Sequence, residues 1–192
     1  VLLVALAFPV AGARGELVEV RQVAGGMECA ECARNLKLDI GRLDGVEAAA
    51  ASWNRRVLTV RFRASSRATL EEVREVVRRH HFSAREAEVV ARGRLSDAPG
   101  GTALLLTVTG SGAVYEIAAG IRPAGAAPTG GLDLMARLAR EAGRGGELTV
   151  RGRVAGDEVP GSPGATGARS GAARLWIQEI LEIQEVSEIL AR

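Results

Sequence analysis

Between Leu17 and Val90 the apolar residues switch repeatedly between a spacing of two and a spacing of three to four, so this stretch must fold from alternating strands and helices. Leu17-Val18-Glu19-Val20-Arg21-Gln22-Val23 alternates as a strand and is closed by Gly25-Gly26. Ala33, Leu36, Ile40 and Leu43 then share one helix face, which Asp44-Gly45 ends. Val46 to Trp53 and Val57 to Phe62 flank Asn54-Arg55-Arg56 as the arms of a hairpin. Leu70, Val73, Val76 and Val77 form the inner stripe of a second helix, with Glu71, Glu72, Arg74 and Arg78 expected outward. Ala84 to Val90 is the fourth strand.

That order, βαββαβ in about 75 residues, is the ferredoxin-like arrangement. The remainder has a different texture, rich in Gly and Pro. Val89 to Leu95 serves as a first strand there. Ala103 to Val108 and Ala113 to Ile117 flank Gly110-Ser111-Gly112 as a hairpin, and Leu132, Met135, Leu138 and Ala139 mark a short helix. Glu147 to Val154 and the segment from Leu175 are strands, separated by a polar loop from Gly156 to Gly171. In the tail, Ile180, Ile183, Val186 and Leu190 fit a helix better than a strand. This count suits a small β-rich, OB-like barrel. The expectation is an α+β chain with a ferredoxin-like domain at 14–91 and an OB-like barrel with a C-terminal tail at 92–192.

Ahead of both lies a short apolar stretch ending in Ala11-Gly12-Ala13, the small-x-small pattern of a secretory signal, here a remnant spanning 1–13. It implies a secreted or periplasmic protein, or one held at a membrane after export. No apolar run reaches the roughly 18 residues of a membrane helix, so the mature chain is not expected to span one. With 25 basic and 23 acidic side chains the chain is nearly neutral, and residues 93–192 carry no lysine. A nucleic-acid partner would want a basic groove lined with aromatics, so none is expected. Both histidines lie in the first half, leaving the second without a Ser-His-Asp set.

The chemistry concentrates in Gly26-Met27-Glu28-Cys29-Ala30-Glu31-Cys32, between the first strand and the first helix, which holds the chain's two cysteines. Thiols at i and i+3 on a helix N-terminus turn toward one point. The free N–H groups and positive partial charge there favour thiolate, the metal-binding form. Soft sulfurs without hard ligands select Cu(I), Zn(II) or its heavier relatives over Mg or Ca. Two protein ligands leave the shell incomplete, which suits handing an ion on rather than holding it.

Gly26-Met27-x-Cys29-x-x-Cys32 resembles the signature of heavy-metal-associated domains, found in copper chaperones, periplasmic mercury-binding proteins and the N-terminal modules of metal-pumping P-type ATPases. Leu43-Asp44-Gly45-Val46 resembles the family's "L-x-G-V", and His81-Phe82-x-Ala84 its "G-[FY]-x-A", with His81 in place of glycine. The resemblance covers about residues 16–91. It implies Cys29 and Cys32 as ligands, Met27 anchoring the loop in the core, and Phe82 beside the loop as a shield. The cargo implied is one soft ion, Cu(I), Zn(II) or Hg(II). The partner implied is a metal donor or acceptor such as a transporter, with no bond-making catalysis.

Glu28 and His81 are the auxiliary candidates, a carboxylate and an imidazole close in sequence to motif residues. For both, a solvated or helix-end role is the stronger expectation. The chemical rival for the pair is a thiol–disulfide redox protein, which also uses CxxC at a helix N-terminus. The chain has no proline between Pro9 and Pro99 to face the thiols, and no aromatic precedes Cys29, so metal binding leads. Trp53, Tyr115 and Trp176 are expected in the core or on strand faces.

Overall fold

The computed structural model describes residues 17–64, 66–101, 103–108, 110–118, 131–156 and 173–181. The signal remnant, most of the polar loop, and Ile183, Val186 and Leu190 lie outside these. The elements run β1 (Leu17–Gly25), α1 (Ala30–Ile40), β2 (Val46–Ser52), β3 (Val57–Phe62), α2 (Leu70–Arg79), β4 (Ser83–Asp97), β5 (Leu104–Thr107), β6 (Val114–Ala118), α3 (Gly131–Arg144), β7 (Glu147–Val154) and β8 (Ala173–Leu181). The strands share one sheet, in the order β2-β3-β1-β4-β5-β6-β8-β7, with a further pairing of β4 to β7.

The first six elements take the ferredoxin-like order, with β1 between β3 and β4 and both pairings antiparallel. α1 buries Ala33, Leu36 and Ile40 and stops at Gly41, so Leu43 packs from the following turn rather than from the helix. α2 begins with a capping box: Thr69 Oγ1 accepts from Glu72 N–H, and Glu72 Oε2 accepts from Thr69 N–H. Its inner face holds Leu70, Val73, Val76 and Val77, each side chain contributing about 1.5–3 kcal/mol by leaving water.

Arg74 corrects the expected outward face. It is buried because it falls on the apolar stripe, four residues after Leu70 and three before Val77. Trp53 is a second correction. It sits in the β2–β3 turn, past the last paired residue, and 44% of its surface stays in water. Ile180 is a third, lying in β8 and pairing with Val150 where a helix was expected. Ladder pairing with β7 outweighs a weak helical spacing there. Helix α3 is longer than its marker residues, with Leu138 buried but Ala139 exposed.

β4 joins the two halves. One stretch, Ser83 to Ala91, pairs with β1, while Arg94 to Asp97 pair with β5 and Ala87 to Arg94 pair with β7. The two strands expected at Ala84–Val90 and Val89–Leu95 are therefore one continuous strand, and it runs through position 91. Gly93 lies where another strand presses in. A Cβ there would stand 2.4 Å from the Thr107 carbonyl oxygen. A single buried cluster extends from Met27 and Leu36 through Val73 and Val89 to Leu106, Leu138 and Leu175. Among the described residues no helix is long and apolar enough to cross a membrane.

Candidate metal centre

Three loops meet at one end of the sheet. Ala24 N–H donates to Arg56 O at 2.8 Å, tying the β1–α1 loop to the β2–β3 turn. Gly25 pairs with Ser83, which brings in the α2–β4 connection. Met27, fully buried, pins the first loop to the core.

Cys29 follows as the N-cap of α1, with extended backbone. Its sulfur accepts the Cys32 N–H at 2.9 Å, taking the place of the usual cap oxygen. Cys32 lies one turn on, so both sulfurs reach the same point: they are joined as a disulfide, with Cα atoms 5.1 Å apart. Cys29 is exposed and Cys32 half-buried, so the pair faces solvent. Once reduced, the same N–H and helix end stabilise the Cys29 thiolate.

The third loop is shaped by the end of α2. His81 N–H donates to Arg78 O and Phe82 N–H to Val77 O, the two bonds of a Schellman turn. Such a turn puts its central residue in the left-handed region, and His81 has φ of +61°. Phe82 is thereby swung toward the metal loop, its ring 3.8 Å from where a Cβ on Gly26 would stand. Its other neighbour is His80, whose ring stacks on it. His80 Nε2 also lies 2.9 Å from Asp39 Oδ2, linking the ends of the two helices.

The auxiliary candidates go elsewhere. Glu28 is exposed and lies 3.4 Å from Arg56 Nη2, and the His81 side chain is in solvent. Among the described residues no three His, Cys, Asp or Glu side chains are grouped to hold one ion.

The heavy-metal-associated domain model matches residues 24–83, spanning all three loops. Residues 24–83 are a heavy-metal-associated domain. No curated protein matches the chain. Among solved structures, the copper transporter domain Ccc2a of yeast, determined in solution in apo and Cu(I)-loaded states, is similar at 22% identity. That alignment covers 34% of this chain and 88% of that one, with a TM-score of 0.31. In this heavy-metal-associated domain the outer edge of β4 is occupied by β7, so the domain is continuous with the rest of the sheet.

Sequence reasoning missed what fastens that junction. Between Gln22 and Ala24 the β1–β4 register shifts, leaving carbonyls on β4 out of the ladder. The Gln22 amide, fully buried, fills the gap by donating to Arg85 O at 2.6 Å. Its own oxygen accepts from Arg74 Nε at 3.2 Å, and Arg74 Nη2 donates to Ala155 O at 2.5 Å. The available signals were an arginine on an apolar stripe and a glutamine at an inward position of β1.

Proposed function

We propose that the chain binds one soft metal ion through the thiolates of Cys29 and Cys32 and passes it to a partner by thiolate exchange. The observation that carries this reading is the convergence of two sulfurs on one solvent-facing point at a helix N-terminus. Reduction opens the disulfide and frees both as ligands. With no third donor grouped nearby among the described residues, ions content with two sulfurs, Cu(I) or Hg(II), fit better than Zn(II), which would draw its remaining ligands from solvent or the partner. Exposed Trp53, Arg55 and Arg56 flank the site and are available to a donor or acceptor protein, for instance a transporter.

The test is anaerobic competition of reduced protein against a Cu(I) chelator. About one Cu(I) per chain is expected for wild type and none for the Cys29→Ser/Cys32→Ser variant. Reduced wild type that takes up no Cu(I), Hg(II) or Zn(II) defeats the proposal.

The bonded state of the pair favours one second reading, a thiol–disulfide redox protein. It predicts catalysed disulfide reduction in a partner substrate and a low Cys29 pKa, with no stoichiometric metal uptake. Export through a signal at 1–13 is likewise our proposal, and it would place the pair in an oxidising compartment. The two-domain division belongs here too, as does an OB-like barrel for the second half. That barrel is supported by the neighbour sequence β4, β5, β6, β8, β7 and the further β4–β7 pairing, with β6 and β8 parallel. No catalytic role is proposed for it.

A further inference from the structure

The metal loop leaves β1 through Gly26, whose φ is +93°. Glycine takes that conformation without steric cost, but the same freedom opens many others to it. The turn around it closes on a long bond, Met27 N–H to Ala24 O at 3.4 Å, beyond the usual range. Firmer support comes from Phe82, whose ring stands 3.8 Å from where a Cβ on Gly26 would be. Phe82 is itself only partly buried, and His80 backs it. The two rings are 6.1 Å apart between centroids and 13° from coplanar, within the range of offset stacking. The imidazole is fixed in turn from the other helix. Its Nε2–H donates to Asp39 Oδ2 at 2.9 Å, while Asp39 Oδ1 accepts from Arg42 Nη1 at 2.7 Å. Only 20% of the His80 side chain is exposed, and a carboxylate acceptor makes such a bond one of the strong kind.

We propose that His80 is a positioning residue for the metal loop. Oriented by Asp39, its ring backs Phe82 against Gly26, and so keeps Cys29 and Cys32 in the arrangement that receives the ion. The role rests on the metal-binding reading above and supplies it with preorganisation: order already present in the empty loop need not be imposed by the ion. A histidine that merely suited the negative end of α2 would act through charge alone. It would require neither the bond to Asp39 nor the stack on Phe82.

Three variants of the full reduced chain test this, His80→Ala, Asp39→Ala and Asp39→Asn. Two readouts are taken: the NOE between the Phe82 ring and the Gly26 α protons in metal-free protein, and Cu(I) affinity by chelator competition. His80→Ala should weaken the NOE and lower Cu(I) affinity about two- to tenfold, the worth of one aromatic pair, with stoichiometry still at one. Asp39→Ala should give a smaller loss in both. Asp39→Asn should restore both, because its amide oxygen accepts the same bond. The proposal is overturned if folded His80→Ala keeps the wild-type NOE and affinity, losing only stability in urea. It is also overturned if Asp39→Asn loses as much as Asp39→Ala. Asp39 is 40% exposed, so its two variants decide the matter should His80→Ala fail to fold. If wild type takes up no metal, the NOE alone decides. Its loss in His80→Ala then supports the positioning of the loop while the metal-binding reading falls, and its retention overturns both.

Discussion

The metal end of the sheet and the junction at β4 are both built from β1, α2 and β4, yet they are held in opposite ways. The metal end takes its loop shapes from local devices, an N-cap sulfur and a Schellman turn, each acting within a few residues of itself, while buried Met27 fixes the first loop to the core. The junction depends on groups far apart in the chain: the buried side chains of Gln22 and Arg74 bind each other and the backbone carbonyls of Arg85 and Ala155. A site that must take up and release an ion needs exposed ligands and a cheap change of partner. A seam between two halves needs bonds that are expensive to break. The two regions should therefore respond to mutation in opposite senses.

The sharpest separation comes from the cysteines. Cys29→Ser/Cys32→Ser should remove metal uptake altogether, while the urea midpoint of reduced protein moves by less than about 0.5 kcal/mol equivalent, because serine is a competent N-cap. Oxidised wild type should behave as that variant does in metal competition until a reductant is added. A large loss of stability in the serine variant would break the comparison by making the pair a structural cross-link.

Arg74→Met is the converse. It keeps the apolar stripe of α2 but strands the Gln22 oxygen and the Ala155 carbonyl, and it should cost roughly 2–4 kcal/mol in urea unfolding. Metal stoichiometry should stay at one. Gly156→Ala attacks the same seam from the other side. A Cβ there would stand 2.2 Å from the Arg85 carbonyl carbon, so the backbone must shift, at a cost of about 1–3 kcal/mol. If either variant loses metal before it loses stability, the two regions are coupled.

The same contrast accounts for what the sequence disclosed. Periodicity, a Gly-Met-x-Cys-x-x-Cys loop and its flanking turns are short-range patterns, so the strands and helices of the first half and the cysteine pair could be read directly. Arg74 could not be assigned by residue type, since arginine is ordinarily an outward residue. Only its place four residues after Leu70 pointed inward. Trp53 was misplaced for the reverse reason, a large apolar side chain left in a turn. The strands expected at Ala84–Val90 and Val89–Leu95 split what β4 makes one, because pairing with β1 and β7 on overlapping stretches leaves no mark on the chain itself.

Tyr115 extends the comparison to pH. Burial pushes its phenol up to about 12, the nearby Arg74 opposing and Glu71 adding a little. Below about pH 10 both folded and unfolded chains keep the proton and stability is unaffected. Between about 10 and 12 the unfolded chain ionises first, so stability falls as pH rises, by roughly 2–3 kcal/mol in all. Tyr115→Phe should remove that slope, measured by urea unfolding across the alkaline range, whereas the cysteine variant should retain it. A slope unchanged in Tyr115→Phe would assign it to other groups.

The smallest effect is the most discriminating for the metal end. His81 occupies a left-handed position that a Cβ disfavours, and the heavy-metal-associated signature places glycine there. If the imidazole has no task, His81→Gly should stabilise the fold by about 0.5–1 kcal/mol, and His81→Ala should not, since alanine keeps the Cβ. Cu(I) and Zn(II) affinities should be the same in both variants as in wild type. An auxiliary ligand would give the opposite signature: both variants would bind Zn(II) more weakly at neutral pH, whichever of them is the more stable. Because stability depends on the Cβ and affinity on the imidazole, comparing the two substitutions separates strain tolerated by the turn from strain kept for the metal.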